Sequence, residues 1–283
     1  MVLELLINPK AAERSPWELF FFGLVYASIA IVLAMWIFAE KVGLVMVFLT
    51  TLSCTYLIQR TLRMEERKDQ RFSSEIRLLR EHGKALTFFM FLFLGFTVAF
   101  SLWYVLAPAD TAQRIFGVQI ETIESINSAV TGNAMSGAAA FTKIFANNMR
   151  VLLFSFIFAI FYGAGAVFIL AWNAAVVGTA IGSFARSGLA ALANKVGLLG
   201  VGHYLATYSL GLLKYMTHGW LEILAYFTAA LAGGILSMAL VKHSLRSEAF
   251  MRTLRDSVDL ALLSVLMIVA AAGIEVYISP VLF

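Results

Sequence analysis

His218 and Glu222 stand four residues apart at the leading end of an otherwise apolar run, "MTHGWLEILAYFTAALAGG", Met216 to Gly234. On a helix such a pair shares one face, so imidazole and carboxylate can hydrogen-bond. Glu222 then lies about 6–8 Å further along the helix, below the outer interface of a membrane. An intramembrane carboxylate is costly unless it is protonated, paired or hydrated, which makes it a functional candidate. Three chemistries are open to it: a polar clamp between helices, a proton- or ion-conducting site, or a contact with a lipid headgroup or partner. Lys214, one turn before His218, is a further partner if the helix is continuous there.

Other polar and small residues extend this set. Asn147 and Asn148 open an apolar stretch that reaches Asn173, about 38 Å away at 1.5 Å per residue, so they bracket a span rather than share a site. Asn147 is a candidate helix cap, and Asn148 and Asn173 are candidates to tie neighbouring helices or line a solute path. In "FYGAGAVFILAWNAAVVGTAIG", Gly163, Gly165, Gly178 and Gly182 permit close helix packing, the last two as a GxxxG pair. Arg186 interrupts an apolar stretch and is expected to snorkel to the cytoplasmic face. Glu275 falls at the end of the last span, where headgroups can hydrate it.

Enzymatic motifs are missing. The spacing His-x-x-x-Glu lacks the second histidine of a metalloprotease HExxH, and the chain has only 4 His. There is no GxSxG or P-loop, and Gly200 and Gly202 in "GVGHYLATYSLG" are glycines of an apolar run. Cys54 is the only cysteine, which excludes an internal disulfide or thiolate cluster and reads as a small packing residue. No catalytic residue, cofactor or metal site is expected.

These residues need elements to position them. The 283 residues are 61% hydrophobic and 13% charged, with a mean hydropathy of +0.86. A soluble domain would need more charge to cover its surface. Runs of roughly 20 apolar residues, enough to cross a hydrocarbon core as helices, fall at 17–39, 42–59, 85–107, 150–172, 196–215, 217–241 and 257–278. Residues 173–192 are apolar too, and extend the fourth helix or form a re-entrant or interfacial segment. The expected fold is all-α, a polytopic transmembrane bundle of about seven spans in the cell membrane. The first run is too long for a signal-peptide h-region.

Charge sets the orientation. The linker 60–84 carries eight Lys/Arg and five Asp/Glu, and Lys242, Arg246, Arg252 and Arg255 follow the sixth span. The positive-inside rule puts both linkers in the cytoplasm, with the N-terminus inside and the C-terminus outside. Glu66/Gln70, Arg67/Arg71 and Arg77/Glu81 stand at i,i+4, the pattern of a charged, partly ion-paired and solvated helix. Clustering of basic residues beside spans argues against nucleic-acid binding. In the outer loop 108–148, Pro108 stops the third helix, and Ile120, Ile123, Ile126 and Val130 predict an amphipathic helix whose apolar face meets lipid or protein.

The run "FANNMRVLLFSFIFAIFYGAGAVFILAWNAAVVGTAIG", followed by "HGWLEILAYFTAALAGG", resembles the stage II sporulation protein M family over roughly residues 85–280. The matching positions are Asn148, Asn173, His218, Gly219 and Glu222. Residues 1–59 look like an N-terminal two-helix addition, 60–84 a charged linker, and 85–283 the family-like membrane core. Two departures stand out: Thr217 where the family usually has Pro, and Ala174 after Asn173 where it usually has Gly. Each replaces a helix breaker, so the breaks expected there soften. The resemblance implies an integral membrane protein without catalytic activity, similar to a scaffold that gathers partners. The expected function is a non-enzymatic membrane scaffold or membrane-organising protein, in contact with membrane lipids and forming a homo-oligomer or binding other membrane proteins. The alternative is a proton- or ion-coupled transporter or channel using Glu222 and His218, with Asn148 near Glu222 if the fourth and sixth spans pack.

Overall fold

The computed structural model describes residues 15–38, 40–71, 75–131, 137–162, 166–193 and 198–282. The helices are α1 (Trp17–Ile37), α2 (Val42–Arg71), α3 (Glu75–Leu106), α4 (Ala109–Thr131), α5 (Gly137–Tyr162), α6 (Ala166–Ala193), α7 (Leu198–Lys242) and α8 (Glu248–Gly273). A π-helical turn, Ile274–Ile278, and the short α9, Ser279–Leu282, follow. Seven of these helices are long and apolar enough to cross a membrane, α4 and α9 being the exceptions.

The span count agrees with the sequence, but two spans are redrawn. Run 150–172 is divided between α5, which ends at Tyr162, and α6, which starts at Ala166. The apolar stretch 173–192 is the body of α6, a full span rather than a re-entrant segment. Residues 196–215 are not a separate span, because α7 runs unbroken from Leu198 through the 217–241 region. Thr217 and Ala174 explain both continuities. Neither removes a backbone donor or adds backbone freedom as Pro or Gly would, and each lies inside a helix.

Backbone polarity is satisfied within the helices, as a lipid environment demands. Hydroxyls obey the same constraint: Thr50, Thr51, Thr61, Thr97, Thr179 and Thr228 each donate to the carbonyl four residues back. At the start of α8, Ser247 caps the helix by accepting from Phe250 N at 3.2 Å.

α7 is the hub. Of its apolar stretch 78% is buried inside the bundle, against 22% for those of α5 and α8, so α5 and α8 are outer helices with lipid-facing surface. Phe227 of α7 stacks on Phe89 and meets Phe93 edge-on, both of α3, with centroids 5.8 Å apart in each case. α1 crosses α3 at Gly23 and Gly95. A methyl on Gly23 would fall 2.5 Å from the Leu92 carbonyl oxygen, and one on Gly95 would meet the Phe20 carbonyl. Only hydrogen at both positions allows that backbone approach.

α4 starts directly after Pro108, earlier than Ile120, where the apolar periodicity becomes legible. Its buried stripe is Ala112, Ile115, Phe116 and Gln119, a helical i, i+3, i+4, i+7 set. Phe116 meets Phe100 and Tyr104 of α3, and Gln119 Nε2 donates to the Gly43 carbonyl of α2 at 3.1 Å. The apolar face of α4 therefore meets protein. Ile126 and Val130 have side chains outside the described residues.

Candidate functional site

Two polar networks cross the bundle, one within the span of α7 and one at its charged end. The first is built on Asn148 and Glu222. Because α5 begins at Gly137, Asn148 lies near its middle, and Asn147 is exposed rather than a cap. Asn148 is 7% exposed and faces α7. Its Nδ2 donates to Glu222 Oε1, and its Oδ1 accepts from the Tyr226 hydroxyl at 3.0 Å. Glu222 and Tyr226 are one turn apart on α7, so a single carboxamide bridges two polar groups of one helix face. Glu222 is partly exposed, whereas Tyr226 is 5% exposed. Glu275, on the π-helical turn, is close enough to act electrostatically on both.

The remaining candidates scatter. Asn173 Nδ2 donates to the Ile169 carbonyl of its own helix at 2.9 Å and sits on α6, not on the helix of Asn148. His218 and Lys214 are in α7, with side chains outside the described residues. Gly219 meets no described residue where a side chain would begin, and Gly163 and Gly165 lie outside the described residues. Gly178 and Gly182 of α6 pack on α3: an added methyl would fall 2.8 Å from the Thr97 carbonyl oxygen and 2.8 Å from Tyr104 Cβ respectively.

Arg186 does not reach the charged end. It donates to the Val105 and Ala107 carbonyls and lies over the Tyr104 ring, 5.3 Å from its centroid. Those groups belong to the end of α3 remote from the 60–84 region. Its charge is met by carbonyl dipoles and an aromatic face, which lets α6 span despite it.

The second network uses residues read in the sequence as a solvated face. α2 continues to Arg71 and α3 starts at Glu75, and the inner sides of both extensions are buried. Glu66 does not pair with Gln70. Its carboxylate, 2% exposed, holds Lys242 and, at 2.7 Å, His243 at the end of α7. Gln70 instead donates to Ala249 O and Thr253 Oγ1 of α8, each at 3.0 Å. His82, with no exposed surface, has Nδ1 2.8 Å from Glu65 Oε2 and Nε2 2.8 Å from Asp256 Oδ2. Asp69 Oδ1 lies 3.3 Å from the same Nε2, and Lys68 Nζ lies 2.8 Å from Glu65 Oε1. The only sequence signal for this cluster was the density of acids in 60–84; its partners in α7 and α8 lie more than 170 positions away.

Seven spanning helices, Gly-mediated crossings and buried interhelical polar contacts define a polytopic α-helical membrane protein. Residues 84–280 match the Stage II sporulation protein M family, and the chain belongs to that family. No curated protein and no solved structure matches the chain. The match opens at Lys84, so α1, α2 and the first turns of α3 precede it, together with Glu65, Asp69 and His82.

Proposed function

We propose that the chain is a non-enzymatic membrane scaffold or membrane-organising protein, held among membrane lipids and binding other membrane proteins or further copies of itself. The observation that carries this reading is the Asn148 carboxamide, which engages Glu222 and Tyr226 together and so clamps α5 to α7. These polar side chains meet one another across the interface of two helices. The crevice between α2, α3, α6 and α7 agrees, its described walls being apolar, among them Phe93, Phe96, Val167, Leu170 and Phe227. At the charged end, Arg63, Arg67, Arg80 and Arg246 are exposed, a distribution suited to anionic lipid headgroups.

The test compares wild type with Glu222→Gln in detergent and in proteoliposomes. The scaffold reading expects the substitution to weaken thermal stability or assembly, with no proton- or ion-dependent flux in either protein. A variant that assembles normally but loses a flux present in wild type would replace this reading with transport.

A further inference from the structure

We propose that Asp69, Asp256 and His82 form a binding site for one divalent transition-metal ion, with Zn²⁺ as its natural probe. One ligand atom from each residue can be chosen so that all three lie within 4.8 Å of one another, and the three residues are buried. The imidazole Nε2 is 2.8 Å from Asp256 Oδ2 and 3.3 Å from Asp69 Oδ1. Ligand atoms at tetrahedral angles around zinc, with bonds of about 2.0–2.1 Å, stand about 3.3 Å apart. The two distances from the imidazole thus lie within about 0.5 Å of that spacing, and the two carboxylates, no more than 4.8 Å apart, close on an ion as it enters.

Three further observations point to a cation. Asp69 has no exposed surface, and among the described residues its carboxylate makes no hydrogen bond, Oδ1 having only the 3.3 Å contact with His82 Nε2 and Oδ2 none. A buried anion left in that state is strongly unfavourable, and a metal ion supplies the missing partner. Glu65 Oε2 faces His82 Nδ1 at 2.8 Å, the arrangement in which a carboxylate fixes the tautomer of a metal-bound imidazole and turns the other nitrogen to the ion. Charge agrees as well. Glu65, Asp69 and Asp256 with Lys68 and a neutral imidazole leave two negative charges, which a divalent ion balances. One imidazole with two carboxylates suits a borderline ion such as Zn²⁺, or a harder one such as Mn²⁺, better than soft ions.

The ligands come from α2, α3 and α8, so the ion would staple the charged extensions to the last spanning helix. Asp69 and His82 precede the family match and Asp256 lies inside it, which makes the site one that joins the N-terminal part to the core. Glu65 is a positioning residue here, acting through His82.

The test uses the full chain, purified in detergent with any affinity tag removed and stripped with a chelator. Calorimetric titration with Zn²⁺ should give one equivalent bound per chain, and Co²⁺ loading should give a visible d–d absorption. Asp69→Asn should abolish both signals, and Glu65→Gln should weaken Zn²⁺ binding by about 10–100-fold. Chelation should lower the thermal midpoint of wild type and leave that of Asp69→Asn unchanged. Wild type that takes up no Zn²⁺, or Asp69→Asn that takes it up equally, overturns the site and leaves an imidazolium held by carboxylates. Wild-type stoichiometry decides the matter even if a variant fails to fold. Glu222 is about 30 Å along α7 from the charged end, so this result and the flux experiment fail independently.

Discussion

Tyr226 donates its hydroxyl to Asn148 Oδ1 at 3.0 Å, across the interface between α7 and α5, while the other end of the same carboxamide serves Glu222. The two substitutions that break this link are therefore unequal. Tyr226→Phe removes one interhelical hydrogen bond, worth on average about 0.6 kcal/mol within membranes. Asn148→Ala leaves a buried hydroxyl and a carboxylate without their partner, for which about 1–3 kcal/mol is expected. Unfolding of the detergent-solubilised variants should rank them in that order. Equal losses would show that Asn148 does not bridge.

Glycine substitutions should separate by what a methyl would meet. At Gly23 and Gly95 it meets backbone oxygens, which cannot swing away as a side chain can. Gly23→Ala and Gly95→Ala should each cost about 1–3 kcal/mol by forcing α1 from α3. Gly219, for all its place in the His-Gly pattern, has nothing within 4 Å among the described residues. Gly219→Ala should be neutral or stabilise α7 by about 0.5–1 kcal/mol through backbone entropy. Thermal midpoints of the three variants provide the comparison, and a destabilised Gly219→Ala would point to a neighbour of this helix face.

Contacts of Glu66 with Lys242 and His243 place the 60–84 and 242–257 regions on one side of the membrane. In a Cys54→Ala background, single cysteines at exposed Arg80 and Ser244 should react with an impermeant maleimide only after permeabilisation of cells. One at exposed Asp110 should react in intact cells. Opposite behaviour of positions 80 and 244 would contradict the Glu66 contacts; inversion of all three would reverse the orientation.

Span number follows from apolar run length, whereas Asn148 near Glu222 was expected only if the fourth and sixth spans packed, a condition that the contact between α5 and α7 meets. The misplaced fifth span has a physical origin. Arg186 made α6 look interrupted, because carbonyls and a ring that satisfy a charge are contributed by α3 and cannot be read locally. The continuous α7 was obscured by its glycines and by the polar residues near Thr217. Burial of Glu65, Asp69 and His82 was illegible for a similar reason. An acidic, basic helix face looks solvated until a distant helix brings Asp256, Lys242 and His243 onto it.

α4 offers the sharpest contrast between lipid and protein as the environment of an amphipathic helix. Phe116 has no exposed surface and its ring lies 5.5 Å from that of Tyr104 and 6.5 Å from that of Phe100. A helix resting on lipid would lose little folding stability on truncation of one phenylalanine, because its apolar face would partition into the same medium in both states. A ring packed in a protein core leaves a cavity, and Phe→Ala there costs about 3–5 kcal/mol. Phe116→Ala should therefore lower stability by that amount in detergent, and should raise amide exchange across 112–119. Full stability with unchanged exchange would mean that α4 rests on lipid, and that its hydrogen bond from Gln119 to Gly43 does not hold it to the bundle.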